Sequence, residues 1–312
     1  MSAIIAATYA LRLALTLWVQ DPASARETPQ VLPDIVVTEA RAERVRRYVD
    51  ALPEVNRSNE PLARFDRWIC PGVVNMSDAH SQVIADRVSS AALAAGLRVG
   101  EPGCSPNVLV IFTADADRTV SELREAAPHV FDGIARTRRS GRTQLREFLQ
   151  SDAPVRWWHS TEDVAANGGG DFGMLNLREP SALGEASAPK SMITGSVRST
   201  TATRLSSASR MDITLALVIV DMSRIDVVDL NALGDYAAVV ALGQIDPSAD
   251  TSNSDTILNL FEPGSPIRAM SDLDSAYLRA LYSARGDAAR ASQQKSEIVS
   301  NMLRELNPEP RP

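Results

Sequence analysis

The feature that most constrains the fold is a helical segment at residues 228–245, whose side chains are almost all apolar. A helix with one apolar stripe can lie at a protein surface, but a helix that is apolar around its circumference has to be buried. The chain has 312 residues, of which 44% are hydrophobic and 23% charged, so it has enough material for a sizeable core. The segment is therefore predicted to be the central helix of a domain.

Two other stretches, 107–113 and 211–220, are continuous apolar runs of strand length. Such runs are typical of strands that are buried on both faces of a sheet. The first run would close a β-α-β unit that begins with a strand within 64–74 and continues through a helix at 78–95. The second run is predicted to pair with a strand at 196–205 across a turn at 206–209.

The remaining segments complete the expected fold class. Helices are predicted near 118–127, 143–150, 271–283 and 287–306, and residues 160–190, which contain a run of three glycines and two prolines, read as a loop-like insertion. The sequence thus predicts an α+β fold with a twisted mixed sheet, an N-terminal β-α-β unit, a central buried helix and C-terminal helices.

The amino terminus and the cysteines indicate where the protein works. An apolar run at 4–19, followed by small residues at 23–25, indicates a secretory signal peptide over residues 1–25. An amphipathic helix is the alternative, because Arg12 interrupts the run. Cys70 and Cys104 fit an oxidising compartment and are predicted to form a disulfide, with two unrelated buried thiols as the alternative. The predicted location is periplasmic or secreted, with no integral membrane segment in the mature chain.

The domain plan follows from composition. Residues 26–62 are polar and contain prolines, which predicts a linker with one short helix near 39–51. Residues 32–38, including the part from Asp34 to Thr38, resemble the TonB box of outer-membrane receptors, but no barrel-sized series of strands follows, so an extended linker segment is favoured. The main domain is predicted at 63–285, and residues 286–312 form a C-terminal helix and tail.

The end of the apolar helix resembles the zinc helix of metzincin peptidases, H-E-x-x-H-x-x-G-x-x-H/D, with its chemistry replaced. In that register Gly243 is the family's glycine, which lets the chain turn towards the third ligand, and Asp246 stands at the third ligand position. Tyr236 and Val240 stand where the two histidines would be, and Ala237 stands where the catalytic glutamate would be.

Two further segments carry the same resemblance. Residues 256–258 lie where the family has its Met-turn, with Leu258 in place of methionine, and residues 270–274 leading to Tyr282 are similar to the closing motif of such domains. The chain is similar in these respects to secreted bacterial proteins of unknown function with a degenerate zincin-like domain.

The resemblance implies a fold without its usual reaction. Zinc catalysis needs three protein ligands and a base beside the bound water, whereas Val240 and Ala237 can supply neither. We therefore expect no cofactor, no metal and a non-catalytic, peptidase-like protein that binds a peptide or protein partner. The net charge of −7, without a dominant basic stripe, argues against nucleic acid as that partner.

Two alternatives stay open. A structural protein of the cell envelope is one, and a hydrolase or metal-dependent enzyme that uses aspartates around the central helix is the other. Five aspartates are candidates for that site, although caps and turns are the more ordinary interpretation: Asp221, Asp226, Asp229, Asp235 and Asp246.

The segment Trp157-Trp158-His159 is a candidate groove. In a strand the two tryptophans point to opposite faces, so one can line a groove while the other packs in the core. Core or edge packing with a hydrogen-bonded histidine is the alternative.

Overall fold

The structure is a computed structural model that describes residues 34–52, 61–131, 139–166, 203–225 and 228–307. Within these ranges, both helices and strands precede the central helix, and only helices follow it. The helices are α1 (Asp34–Ala51), α2 (Asp78–Ala94), α3 (Ala116–Ala126), α4 (Arg139–Leu149), α5 (Leu230–Leu242), α6 (Asp272–Ser283) and α7 (Ala291–Leu306). The strands are β1 (Pro71–Val74), β2 (Val108–Thr113), β3 (Val155–Ala165) and β4 (Ser209–Asp221).

The strands form one mixed sheet in the order β1-β2-β4-β3. β1, β2 and β4 are parallel neighbours, and β3 pairs antiparallel with β4 at one edge. The α+β class and the mixed sheet are thereby confirmed. The apolar runs of β2 and β4 are explained by their central positions, since both strands are covered on both faces.

The pairing of β4 differs from the predicted hairpin. Residues 203–208 form a turn with an isolated bridge from Ser206 to Ala288, and residues 196–202 lie outside the described residues. The antiparallel partner of β4 is β3, which continues through Ala165 into the segment predicted as a loop. The first strand is also shorter than predicted, because Arg64 and Ile69 make only isolated bridges before β1.

Helices cover the two faces unequally. The larger core lies between one face and α1, α2, α5, α6 and α7, while the smaller core lies between the other face, α3 and α4. The predicted central helix is found as α5, within the larger core. Among the described residues, no helix combines the length and the apolar character needed to cross a membrane.

The predicted linker contains a structural element of the domain. α1 buries Val45, Tyr48 and Val49 in the larger core, and Arg41 donates to the carbonyl of Leu306 at 2.9 Å. Asp34 to Thr38 belong to this helix rather than to an extended segment. The physical reason is the spacing of the apolar side chains, which places them on one face of a helix that packs against α6 and α7.

The C-terminal helix is likewise part of the same core. α7 buries Ile298 and Met302, and the fully buried Gln294 accepts a hydrogen bond from the amide of Leu62 at 2.6 Å. The predicted boundary at residues 285/286 therefore does not separate two packing units.

Cys70 and Cys104 are joined by a disulfide across 34 residues, with their Cα atoms 6.1 Å apart, which confirms the predicted pair. The bond links the start of β1 to the loop before β2. Asn107 supports the same corner, because its side chain accepts from the amide of Cys70 at 2.8 Å.

Removing the disulfide by a Cys70→Ala/Cys104→Ala double substitution should lower the free energy of unfolding by roughly 3–4 kcal/mol, because the unfolded chain regains the entropy of a 34-residue loop. Denaturant unfolding measures this loss. Dithiothreitol should destabilise the wild type by a similar amount and leave the double variant unchanged. Equal sensitivity of both proteins to the reductant would contradict the expected role of the bond.

Candidate functional site

The central helix α5 is built for burial and close packing. Asp229 caps its start by accepting from the amides of Asn231 and Ala232 at 2.8 and 3.1 Å. Every residue from Ala232 to Leu242 is buried. At Gly234 a side chain would collide with α2, since an added Cβ would lie 2.8 Å from Cβ of Arg87. The sequence thus produces a helix that touches its neighbours on all sides.

Gly243 ends this helix for a reason other than a left-handed turn. Its backbone angles, φ −101° and ψ 141°, are open to any residue. A Cβ there would lie 3.1 Å from the carbonyl oxygen of Val239 and 3.3 Å from the ring of Tyr277. Glycine is favoured here because there is little space for a side chain. The expectation that Gly243 gives the chain conformational freedom was therefore wrong.

The positions that correspond to a zinc helix point into the core. Ala237 and Val240 are 1% and 0% exposed. Tyr236 is buried between two other aromatic rings, with centroids 6.3 Å from Trp157 and 5.0 Å from Phe261. Burial, with the nearby charge of Glu262, raises the pKa of Tyr236, so its phenol stays protonated at neutral pH and is a poor metal ligand.

Asp246, at the third ligand position, is a turn residue. Its carboxylate accepts from the amide and the hydroxyl of Ser248 at 2.8 and 2.7 Å. These bonds stabilise the turn that follows α5. The carboxylate of Asp246 is thus engaged by Ser248, two residues further along the chain.

The edge strand β3 packs directly on the end of α5. The indole N–H of Trp157 donates to the carbonyl of Ile245 at 3.0 Å, and Nε2 of His159 lies 3.1 Å from the carbonyl oxygen of Ala241. Both side chains are at least nine-tenths buried. They fill the space between strand and helix, so the predicted open groove is corrected to a packed contact.

Trp158 points to the opposite face of the sheet, as the strand alternation predicts. Its indole N–H donates to the carbonyl of Val130 at 3.0 Å, and its ring contacts Phe131 and Phe148 at centroid distances of 6.1 and 6.0 Å. The candidate Trp157-Trp158-His159 segment is therefore divided between the two cores.

The aspartates around α5 do not form one site in the described part of the chain. Asp229 is a helix cap, Asp246 is a turn residue, and the buried Asp235 forms an ion pair with the partly exposed Arg87. Asp221 accepts from the amide and hydroxyl of Ser223, and these bonds lower its pKa despite burial. Asp226 lies outside the described residues. Among the residues described, no three His, Cys, Asp or Glu side chains are grouped as metal ligands.

The sequence did not predict the buried positions of Arg156 and Asp274, and it gave Asp235 only as a candidate site residue, not as the partner of Arg87. Arg156 is 2% exposed and donates to Asp117 at 2.8 Å, Asp235 pairs with Arg87, and Asp274 gathers donors from several elements. For Asp274 the local pattern held a signal, because Ser271 and Asp274 have the spacing of a capping box. Arg156 and the Arg87–Asp235 pair have no such signal, because their partners are distant in sequence.

Comparison of the chain with protein-family models, with curated proteins and with solved structures finds no match. The relationship to metzincins thus stays a prediction, and the function has to be argued from the geometry alone.

Proposed function

We propose that this chain is a secreted or periplasmic, non-catalytic protein with a zincin-like fold, which acts by binding a peptide or protein partner. The observation that carries the proposal is the use of the zinc-helix positions as core. Tyr236, Ala237 and Val240 are all buried against other side chains of the domain. A hydrolytic metal site would need ligands that converge on an open coordination position, and this helix has packed side chains there instead.

The order of elements supports the zincin-like part of the proposal. A β-α-β unit leads to an antiparallel edge strand, and the edge strand lies against the end of the apolar helix. The disulfide between Cys70 and Cys104 supports an oxidising compartment, because such bonds persist mainly outside the cytosol.

A structural role in the cell envelope is the second candidate, and one observation favours it. The space between β3 and α5 is filled by Trp157, His159 and Tyr236, each of which is less than one-tenth exposed. A partner would accordingly bind another surface of the domain. The enzyme that uses aspartates is less well supported, because the described candidates are engaged in a cap, a turn and an ion pair.

Purified wild-type protein should contain no stoichiometric zinc, show no peptidase activity, and unfold at the same temperature with or without a chelator. Metal analysis, a mixed fluorogenic peptide substrate and thermal unfolding measure these three quantities. Zinc at one equivalent, together with peptidase activity that a chelator removes, would overturn the proposal.

A Tyr236→His/Val240→His double variant tests the register of the helix. Together with Asp246, the two new histidines would give three zinc ligands, two on the helix and one in the turn after it. Zinc should raise the thermal stability of this variant and leave the wild type unchanged. A folded double variant that does not respond to zinc would count against the zincin-like register.

Binding is distinguished from a structural role by selection from a displayed library of peptides. A selected peptide that binds the folded protein saturably, at one to one, supports the partner-binding function. Failure to enrich any sequence over a disulfide-free, unfolded control would favour the structural role.

A further inference from the structure

Two polar side chains, Trp157 and His159, join the edge strand β3 to the end of α5, beside the packing of the Trp157 ring on Tyr236. β3 is hydrogen-bonded to β4 on one side, and the bond from the amide of Asp221 to the carbonyl of Pro154 fixes which residues of β3 face β4. By alternation, the backbone groups of Trp157 and His159 point away from β4. Their side chains, which bond to the carbonyls of Ile245 and Ala241, then hold this part of β3 to the helix layer.

We propose that His159 is an acid-sensitive latch, whose neutral ring holds β3 against the end of α5 and whose protonation opens the space between them. Opening would expose the aromatic cluster formed by Trp157, Tyr236 and Phe261. The inference concerns the conformation of the domain and holds for a binding role and for a structural role alike.

The closed form requires a neutral His159 ring, because the groups that act on this ring are backbone carbonyls and none of them is negatively charged. Burial lowers the pKa of His159 to about 4, although the carbonyls of Ala241 and Val240 favour the charged ring. A protonated imidazole has a second N–H and a positive charge. In an apolar environment, a donor without an acceptor and a charge without a counter-charge both raise the free energy of the closed form.

Several titratable groups on the surrounding elements have other interactions, and Tyr277 of α6 stays uncharged because burial raises its pKa. Asp235 of α5 pairs with Arg87, Glu262 acts on Tyr236, and Tyr282 of α6 donates to the carbonyl of Leu242 at 2.7 Å. The remaining groups on the two strands lie nearer their ends or on the other face, and they are Arg156, Glu162 and Asp163 of β3 and Arg210, Asp212 and Asp221 of β4.

The sign of the pH dependence follows from the two protonation equilibria. In the open form His159 is solvated and has an ordinary pKa of about 6.5, whereas in the closed form burial lowers the pKa to about 4. The closed form therefore keeps its full advantage above pH 6.5 and loses it as the pH falls towards 4. Between pH 7 and pH 4.5 the opening equilibrium should rise roughly 50-fold.

Hydrogen exchange of the indole N–H of Trp157, which is bonded to the carbonyl of Ile245 across this space, tests the latch at pH 7 and pH 4.5. After correction for intrinsic exchange, protection in wild-type protein should fall roughly 50-fold, while far-UV circular dichroism stays unchanged. A His159→Gln variant, which can still donate to Ala241 but does not titrate, should keep its protection. His80→Gln, at an exposed position of α2, is the matched control and should behave as wild type.

The proposal is overturned if wild-type protection does not change, if His159→Gln loses protection equally, or if secondary structure is lost in the same transition. Should His159→Gln fail to fold, an NMR titration of the wild-type imidazole decides the question. Titration near pH 4, together with local opening, supports the latch. Titration near pH 6.5 with the indole N–H of Trp157 still protected refutes it.

Discussion

Replacing Arg87 with methionine should lower the free energy of unfolding by about 3–5 kcal/mol, because it leaves the carboxylate of Asp235 buried without its counter-charge. Arg87 of α2 donates from Nε and Nη2 to the two oxygens of Asp235 at 2.6 and 2.5 Å. The side chain of Asp235 is 2% exposed, and its other donor is the amide of Met270 at 2.8 Å. Denaturant unfolding at pH 7 measures the loss.

The matched control is Arg118→Met, which removes an ion pair to Glu122 whose two side chains are 75% and 62% exposed. This control should change stability by less than about 1 kcal/mol, because exposed pairs are solvated and screened. A double Arg87→Met/Asp235→Leu variant should recover part of the loss, since it removes both charges together. Equal effects of Arg87→Met and Arg118→Met would show that the burial of Asp235 does not increase the contribution of its ion pair to stability.

Asp274→Asn is expected to destabilise the domain by a similar amount, about 3–5 kcal/mol, because a neutral amide replaces a buried carboxylate that accepts five hydrogen bonds. Tyr48 donates to it at 2.7 Å and the amide of Ile257 at 2.8 Å, and Thr256 and Ser271 also donate. Asparagine has the same shape, but its NH₂ group carries two N–H donors where the carboxylate has an accepting oxygen. These donors would face the hydroxyl or amide donors that surround Asp274. Unfolding in denaturant gives the difference.

Asp272→Asn is the control for this substitution, because Asp272 lies in the same first turn of α6 but is exposed. It should cost only a few tenths of a kcal/mol, from the lost interaction with the helix dipole. Tyr48→Phe removes one donor and should cost about 1 kcal/mol. If Asp274→Asn lowered the free energy of unfolding no more than Asp272→Asn, the carboxylate of Asp274 would not be important for holding these helices together.

These two carboxylates explain how the helices are held around α5. Asp235 ties α5 to α2 and to the segment before α6, and Asp274 ties α6 to α1 and to the short turn of 3₁₀ helix at Ile257–Asn259. At Asp235 and Asp274, fixed protein donors take the place of water around a buried carboxylate. Each set of hydrogen bonds therefore stabilises the fold when it is complete and destabilises it when one partner is removed. The residues at which a zinc peptidase would carry out chemistry lie inside this framework and are used for packing.

Local sequence patterns predicted the elements that depend on nearby residues. The apolar content of residues 228–245 required a buried helix, and α5 is buried from Ala232 to Leu242. The runs that became β2 and β4 were predicted as doubly covered strands, and the disulfide was predicted from the count of cysteines. Caps such as Asp229 were also predictable, because the capping bonds join residues two or three positions apart.

Contacts between distant residues were decided only in the tertiary structure. The sequence paired β4 with 196–205, whereas the sheet pairs it with β3, and the supposed linker contributes Tyr48 to the core. His159 was a groove candidate until its bond to Ala241, 82 residues away, placed it in packing. An apolar or polar pattern fixes which side chains are buried, but many surfaces satisfy the same pattern. Which two surfaces meet, and hence which buried donor finds which acceptor, depends on how the whole chain packs.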